Sequence, residues 1–577
     1  MARIASYRVS DFSGGVRRDK SPLELQKNEL LDARNVEISE RGRLITRRGS
    51  QQLGQDLTGT IENSFVFVPA PGGGTPSTVH MVNDNASTSV ISYLASGARL
   101  SGAITTATTT ITVDSGNGTA GFASSGVVEI EGDLINYTAK TPTTLTGVTG
   151  ITSSHADGAA VNQWTTLSQS GTAVDAQMGL TYAVLNNICF ICGRGGNIKQ
   201  LSSGVIVTDV SSEPSILFVT NYRDRLYGAG DGGSGTNGAP VRVSYSNRGD
   251  GTTWTTGSDY FDVFDQTGEY ITAFKVLNDR LGIFKVNSIF TYDEIELKQR
   301  VIGVGAYNHK VVKEINGKVY TFSPTGIYET NLYQANQIGN PVREYWENFR
   351  PQYDATGLRR VIVNTWAATF FDRYLLYIHD VTNPDSINDV CLEFNTTTRA
   401  WTVHTGGFTN FFSLNGFQSF RFGDQALTRR PALFGTAASG KVWRLYDNRW
   451  TDRDENNRGT DIFQDLISNT GSPVSVRIET PLYDLTYPEL FKTFKHLRVL
   501  TESGLWSVEY RVENEIGIGP YRNLGTVVRP NQTLPFPSEA QGYRIGLRFS
   551  SIGTVDTNVF NGFVFENTEV RSRPNNG

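Results

Sequence analysis

An all-β fold is predicted for this chain of 577 residues by three observations. It holds 31 Phe, 24 Tyr and 8 Trp, which with Val, Ile and Thr favour strands. It holds 59 Gly among many Asn and Asp, the residues of tight turns. From about residue 175 to 448, short apolar runs alternate with turns of Asn, Asp or Gly. With 11% aromatic and 19% charged residues, the composition is that of a chain with large cores and not of a disordered one.

Taken in order, residues 1–50 form a polar N-terminal arm, with a Gly14–Gly15 pair and a Ser21–Pro22 step. A short helix is expected from Asn28 to Val36, then a hairpin from Glu37 to Leu44 turning at Arg41–Gly42. Such an arm has no core of its own and must lie on the main body or on a neighbouring subunit. Its seven arginines between Arg17 and Arg48 suit salt bridges or a solvated face, with nucleic-acid contact as the sharper alternative. Residues 51–100 start the main β body. Residues 101–163 are Thr-rich and read as a small inserted β module, in which Val127–Ile130 and Leu134–Tyr137 flank a Glu-Gly-Asp turn.

Residues 164–448 continue the main body as units of roughly 40–50 residues, a spacing that suits four-stranded propeller blades. The clearest unit spans 271–293. Phe274–Leu277, Leu281–Val286 and Ile289–Tyr292 are three strands, with Asn278–Asp279 and Asn287–Ser288 as two-residue turns. The middle strand is apolar at nearly every position, which fits a strand packed on both faces. These features predict a β-propeller-like body of six or seven blades, with a stacked series of β-sandwiches as the alternative. Residues 449–473 are a charged linker. Residues 474–577 alternate cleanly, with Trp506, Val508, Tyr510 and Val512 on one face, and read as a C-terminal β-sandwich.

The net charge of −5 does not suggest a protein that wraps DNA. No run of 18 apolar residues predicts a membrane span, and no secretory leader is expected. The three cysteines make no disulfide framework; Cys189 and Cys192 form C-x-x-C inside an apolar run and read as buried and inert, like the lone Cys391. The histidines His80, His155, His309, His379, His404 and His496 show no metal-ligand spacing. His379–Asp380 reads as a strand-end surface pair. The glycine-rich runs at 72–75 and 228–238 lack the Lys and helix of a phosphate loop. Asp231, Asn237 and the segment 247–251 only faintly resemble a calcium loop. Asp259, Asp262 and Asp265 are candidates for a two-carboxylate glycosidase site. No catalytic, cofactor-binding or metal-binding residue is assigned, no cofactor is expected, and the chain reads as non-catalytic.

Residues Gly14, Gly15, Ser21, Pro22, Asn35, Gly42, Leu44, Arg47, Arg48 and Gly49, with the later segments 277–293 and 315–329, resemble the nozzle or tail tubular B-like (phage stabilisation) proteins of short-tailed bacteriophages. The insert is similar to modules of phage tail and fibre proteins. The resemblance implies a propeller-bearing subunit of a closed ring, expected to be a hexamer, in a virion tail assembled in the host cytoplasm. Implied partners are copies of itself, tail adaptor or head–tail connector proteins, and tail fibres or spikes. Duplex DNA would pass through transiently, and no stable membrane association is implied. A carbohydrate-binding or host-recognition protein is the first alternative, and a propeller glycoside hydrolase the second.

Overall fold

The computed structural model describes residues 2–39, 41–47, 50–67, 78–84, 89–114, 118–170, 180–193, 198–201, 206–210, 214, 216–230, 240–255, 257–265, 268–347, 349, 352–353, 361–362, 365–379, 389–405, 410–414, 421–422, 425–426, 432–436, 440–445, 464–465, 472–502, 505–551 and 559–571. Among these, seven sheets follow one another as blades around a common axis. Their first strands are Thr60–Phe67, Thr181–Leu185, Phe218–Tyr222, Ile271–Leu277, Lys313–Ile315, Thr365–Phe370 and Asn410–Leu414. Asn410–Leu414 lies against both Thr365–Phe370 and Thr60–Phe67, which closes the circle. The last blade is completed from the other end of the sequence. Strand Ser50–Gln52 pairs with Val442–Leu445, Gln52 opposite Trp443 and Ser50 opposite Leu445. Opening the ring therefore requires breaking a β-ladder.

Packing between blades explains why their strands do not alternate. In Ile188–Cys192 of the second blade, Cys189 and Ile191 pack towards Phe65 and Phe67 of the first. Phe190 and Cys192 pack towards Val219 and Leu226 of the third. In Arg280–Lys285 of the fourth, Leu281 and Ile283 face the third blade, while Phe284 joins the core shared with the fifth. Each face of a central blade strand meets another sheet, so residues of both parities are apolar.

The segment 271–293 is built as three strands, Ile271–Leu277, Arg280–Lys285 and Ser288–Tyr292. Asn278 and Asp279 turn with φ of 48° and 53°, the left-handed pair of a tight hairpin. The second turn falls one residue earlier than expected. Ser288 already opens the next strand, where its hydroxyl meets the Asp265 carboxylate at 3.4 Å.

The helix expected over Asn28 to Val36 is corrected to the strands Glu29–Leu30, Asp32–Arg34 and Val36–Ile38. Two things defeat it. Asn35 sits at φ 56°, and the backbone amides of Leu31 and Asn35 donate to Glu479 and Val403 instead of to a preceding turn. Val36–Ile38 then pairs with Leu44–Thr46, with Gly42 at φ 72° between them.

The arm lies on the main body, the first of the two placements expected for it. Val9, Phe12, Val16, Leu30, Ala33, Val36 and Leu44 are buried in the main core. Strand Ala2–Val9 pairs with Val559–Arg571. Asp32–Arg34 lies parallel to Trp401–Thr405 of the sixth blade and antiparallel to Arg477–Glu479, splicing that blade to the C-terminal domain as one sheet. Five of its arginines pair internally. Arg17 meets Asp19 at 2.8 Å, Arg18 meets Glu344 at 2.7 Å, Arg34 meets Asp32 at 2.8 Å and Arg43 meets Glu502 at 3.1 Å. Arg47 Nε donates to Asn35 Oδ1 at 3.0 Å.

The insert grows out of the first blade. Strand Ser89–Arg99 leads into it and Ala160–Thr166 returns beside it, Arg99 opposite Ala160 and Ser92 opposite Thr166. Gly126–Ile130 and Asp133–Tyr137 form its hairpin. Ile111, Val128, Ile130, Ile135, Leu145 and Val161 give it a core of its own. In the C-terminal region, Trp506, Val508 and Tyr510 are buried, with Val512 packed at the margin of the same core. Trp506 lies 5.5 Å from Phe560, and Phe549 4.6 Å from it. Of the expected linker, 449–463 and 466–471 lie outside the described residues. Among the described residues, no helix is long and apolar enough to cross a membrane.

Candidate functional site

The blades converge on a pocket of about 360 Å³, within the size range of small-ligand sites. Six of them contribute to its wall. They supply Ser64, then Thr181 and Tyr182, then Phe218 to Asn221, then Phe274 to Val276, then Lys313 with His309 and Lys310, and finally Ala367. Apart from His309, Lys310 and the flanking Leu180 and Val312, the lining lies on the first strands of the blades, so the pocket is axial. His309 and Lys310 come from the single turn of 3-10 helix His309–Val311, which Asn308 caps by accepting from the Lys310 and Val311 amides.

The wall has three chemical faces. One is aromatic, with Phe218, Phe274 and the half-exposed Tyr182, whose ring lies 5.6 Å from Phe65. A second is polar. Thr181 accepts from the Val219 amide at 2.8 Å, Asn221 Nδ2 donates to the Val184 carbonyl at 2.8 Å, and Thr220 lies between them. The third is cationic, with Lys275, Lys310 and Lys313. Lys275 meets Glu314 at 3.3 Å. Burial above all, then Lys275 and Lys310, bring the Lys313 ammonium down to about 8. Burial, then Lys310 and Lys313, hold the His309 ring at about 3, so it is neutral at ordinary pH. Its ring lies 5.1 Å from that of Phe218. Among the described residues, the lining carries no Asp or Glu.

The residues singled out from sequence are scattered. Asp262 is held by Arg242 at 2.9 Å on the outermost strand of the third blade. Asp265 is the counter-ion of buried Lys285 at 3.0 Å. Asp259 lends its backbone carbonyl to the Tyr245 amide. None of these three candidates lines the axial pocket. Cys189 and Cys192 are three apart on a strand, so they point to opposite faces and into different cores. Burial raises the Cys189 thiol far above its usual range, as it does that of Cys391. His404 is buried against Glu393 at 2.9 Å. His496 lies on the strand His496–Thr501. His379 ends the strand Arg373–His379. Asp380, Asp231, Asn237 and the side chain of His80 lie outside the described residues. Asp250, in the calcium-like segment, accepts from the Thr252 amide and from the Thr252 and Thr253 hydroxyls at 2.6–2.8 Å.

His155 stands in a constellation that the sequence reading missed. Its Nδ1 lies 2.9 Å from Glu131 and its Nε2 2.9 Å from Asp133, inside the insert. Burial works to raise the Asp133 carboxyl. Bonds from Thr152, Ser153 and His155 outweigh it and hold the group at about 2. The reading also passed over Lys275, Lys310 and Lys313. The available signal was a lysine inside an apolar strand, "ITAFKVL", and two more flanking "HKVVKEI".

No protein-family model and no curated protein matches the chain. Solved structures with an overall likeness include PorZ, a surface component of the type-IX secretion system of Porphyromonas gingivalis. It is 11% identical with a TM-score of 0.31, over 69% of this chain and 39% of PorZ. AztD of Citrobacter koseri is 9% identical with a TM-score of 0.25, over 65% of this chain and 98% of AztD. An exo-β-1,3-galactanase of Phanerochaete chrysosporium, solved with galactose, is 9% identical with a TM-score of 0.23, over 70% and 98%. Scores this low assign no ligand or activity. None of these proteins is named as a tail protein, and the expectation of a ring-forming virion nozzle subunit is withdrawn. Proteins named as glycoside hydrolases stand among them, and the expectation of a non-catalytic chain is withdrawn as well.

Proposed function

We propose that this is a saccharide-binding protein whose binding site is the axial pocket. The observation that carries the reading is the pairing of aromatic faces, at Tyr182, Phe218 and Phe274, with a polar strip at Thr181, Thr220 and Asn221. A sugar ring has an apolar C–H face and a hydroxyl edge, and this wall matches both. The volume suits a mono- or disaccharide. Kinship with phage tail proteins is a separate proposal resting on residues 14–49 and the repeat-like segments, and a saccharide-binding protein is compatible with it.

The test is a panel of neutral and acidic mono- and disaccharides screened against the full chain by saturation-transfer NMR. Binding is expected for at least one sugar, weakened by Tyr182→Ala and abolished by Thr220→Trp, which fills the pocket. A panel without a binder, or a binder indifferent to Thr220→Trp, would refute the reading.

A further inference from the structure

We infer that the ligand of the axial pocket is an acidic saccharide, its carboxylate held by Lys275, Lys310 and Lys313 and one hydroxyl donated to His309 Nε2. The inference rests on the saccharide reading and names the class of sugar.

The cationic face is the first support. Two adjacent blades bring three lysines to one pocket whose lining, among the described residues, has no carboxylate. Lys275 is balanced by Glu314 at 3.3 Å. Lys313 has no hydrogen-bond or ion-pair partner among the described residues, although its neighbours are Lys275 and Lys310. Like charges gathered in a sheltered place repel, and burial weakens the solvent that would screen them. A bound anion relieves both costs.

The second support is independent of charge. The His309 ring hydrogen-bonds the Leu180 backbone, and its Nε2 is buried without a partner. With the ring neutral and its proton engaged at Leu180, Nε2 offers only a lone pair. A carboxylate cannot satisfy a lone pair, whereas a hydroxyl can. The ligand therefore carries an acid group towards the lysines and a hydroxyl towards His309. Phe218, whose ring lies 5.1 Å from that of His309, is placed to receive the apolar face of the same ring. Acid, hydroxyl and apolar face together describe a sugar acid of the uronate kind.

The experiment is titration calorimetry of the full chain with glucuronate and galacturonate against glucose and galactose, with acetate and sulfate as controls. A uronate is expected to bind at least about ten-fold tighter than its parent sugar, a factor set by one charge-assisted contact. Lys313→Gln should remove that advantage, so that in the variant the uronate binds no tighter than its parent sugar. Lys275→Gln, on the neighbouring blade, is the second variant and should act in the same direction. A neutral sugar binding as tightly as its uronate overturns the acidic inference and leaves the saccharide reading intact. Acetate or sulfate matching the uronates, with no neutral sugar bound, marks a plain anion site and overturns both. No binding by any probe also overturns both.

Discussion

The ammonium of Lys285 lies 3.0 Å from the Asp265 carboxylate, with both side chains shut away from solvent. This pair shows why a carboxylate near aromatics is weak evidence for catalysis. Asp265 neutralises a lysine that the fold has buried between blades, beside the ring of Phe290 at 5.6 Å. Removing one partner strands a charge in a poorly solvated place. Asp265→Ala is expected to cost about 3–5 kcal/mol, read as a lower denaturation midpoint of the full chain. Replacing both together, Asp265→Leu with Lys285→Met, should recover most of that loss, because no charge is left to desolvate.

Lys313 makes saccharide binding depend on pH in a stated direction. Its ammonium titrates at about 8, chiefly through burial, with Lys275 and Lys310 facing it and His309 neutral beside it. The nearby carboxylate of Glu314 is paired with Lys275 at 3.3 Å. A bound carboxylate favours the protonated lysine. Affinity for glucuronate should therefore be steady at neutral pH and fall as pH rises through about 8. In the unliganded chain the sign differs. Between about 8 and the ordinary lysine value of 10.5 the unfolded chain holds more protons, so this group makes stability rise with pH across that window. Calorimetry and thermal melts across the window, with Lys313→Gln as the flat control, check both.

Much of the fold was legible because its causes are local. The Asn278–Asp279 turn follows from residues that tolerate positive φ, and the doubly packed strand Arg280–Lys285 from an unbroken apolar run. The arm was misread where the cause is distant. Residues 28–36 carry helix formers, but their amides are claimed by Glu479 and Val403, which no local pattern announces. The axial pocket was illegible for the same reason. Lys275 and Lys313 lie on different blades, and only ring closure makes them neighbours.

The insert should respond to acid at its carboxylate–imidazole–carboxylate cluster. Asp133 is held at about 2, below the ordinary value of 3.8, by Thr152, Ser153 and His155 against the opposing effect of burial. A carboxyl depressed in the folded state stabilises it above its unfolded value. That contribution is complete above about 4 and disappears as pH falls towards about 2. Asp133→Asn should flatten this dependence and loosen the module. The readout is hydrogen exchange at Thr152 and Ser153, whose amides donate to Asp133 at 2.9 Å. Loss of protection spreading into the blades would show that the module is not held by its own core.

Strand Asp32–Arg34 couples the sixth blade to the C-terminal sheet, and one substitution can test whether the coupling is mechanical. Asp32 is fully buried, with Arg34 at 2.8 Å, Arg18 at 3.4 Å and Arg477 at 3.7 Å around its carboxylate. Asp32→Ala removes the buried carboxylate that three guanidinium groups share, while Arg18 keeps Glu344 and Arg477 keeps Glu479, and a cost of about 1–3 kcal/mol is expected. The strand belongs to both sheets, so protection should fall on both sides of it at once. The relevant bonds run from the Asn35 amide to Val403 at 2.8 Å and from the Leu31 amide to Glu479 at 2.9 Å. Equal loss of protection at Asn35 and Leu31 in the variant is the expected result. Loss at Leu31 alone would mean that the arm belongs to the C-terminal domain and only rests on the blade. The protease sensitivity of the two regions would then separate in the same variant.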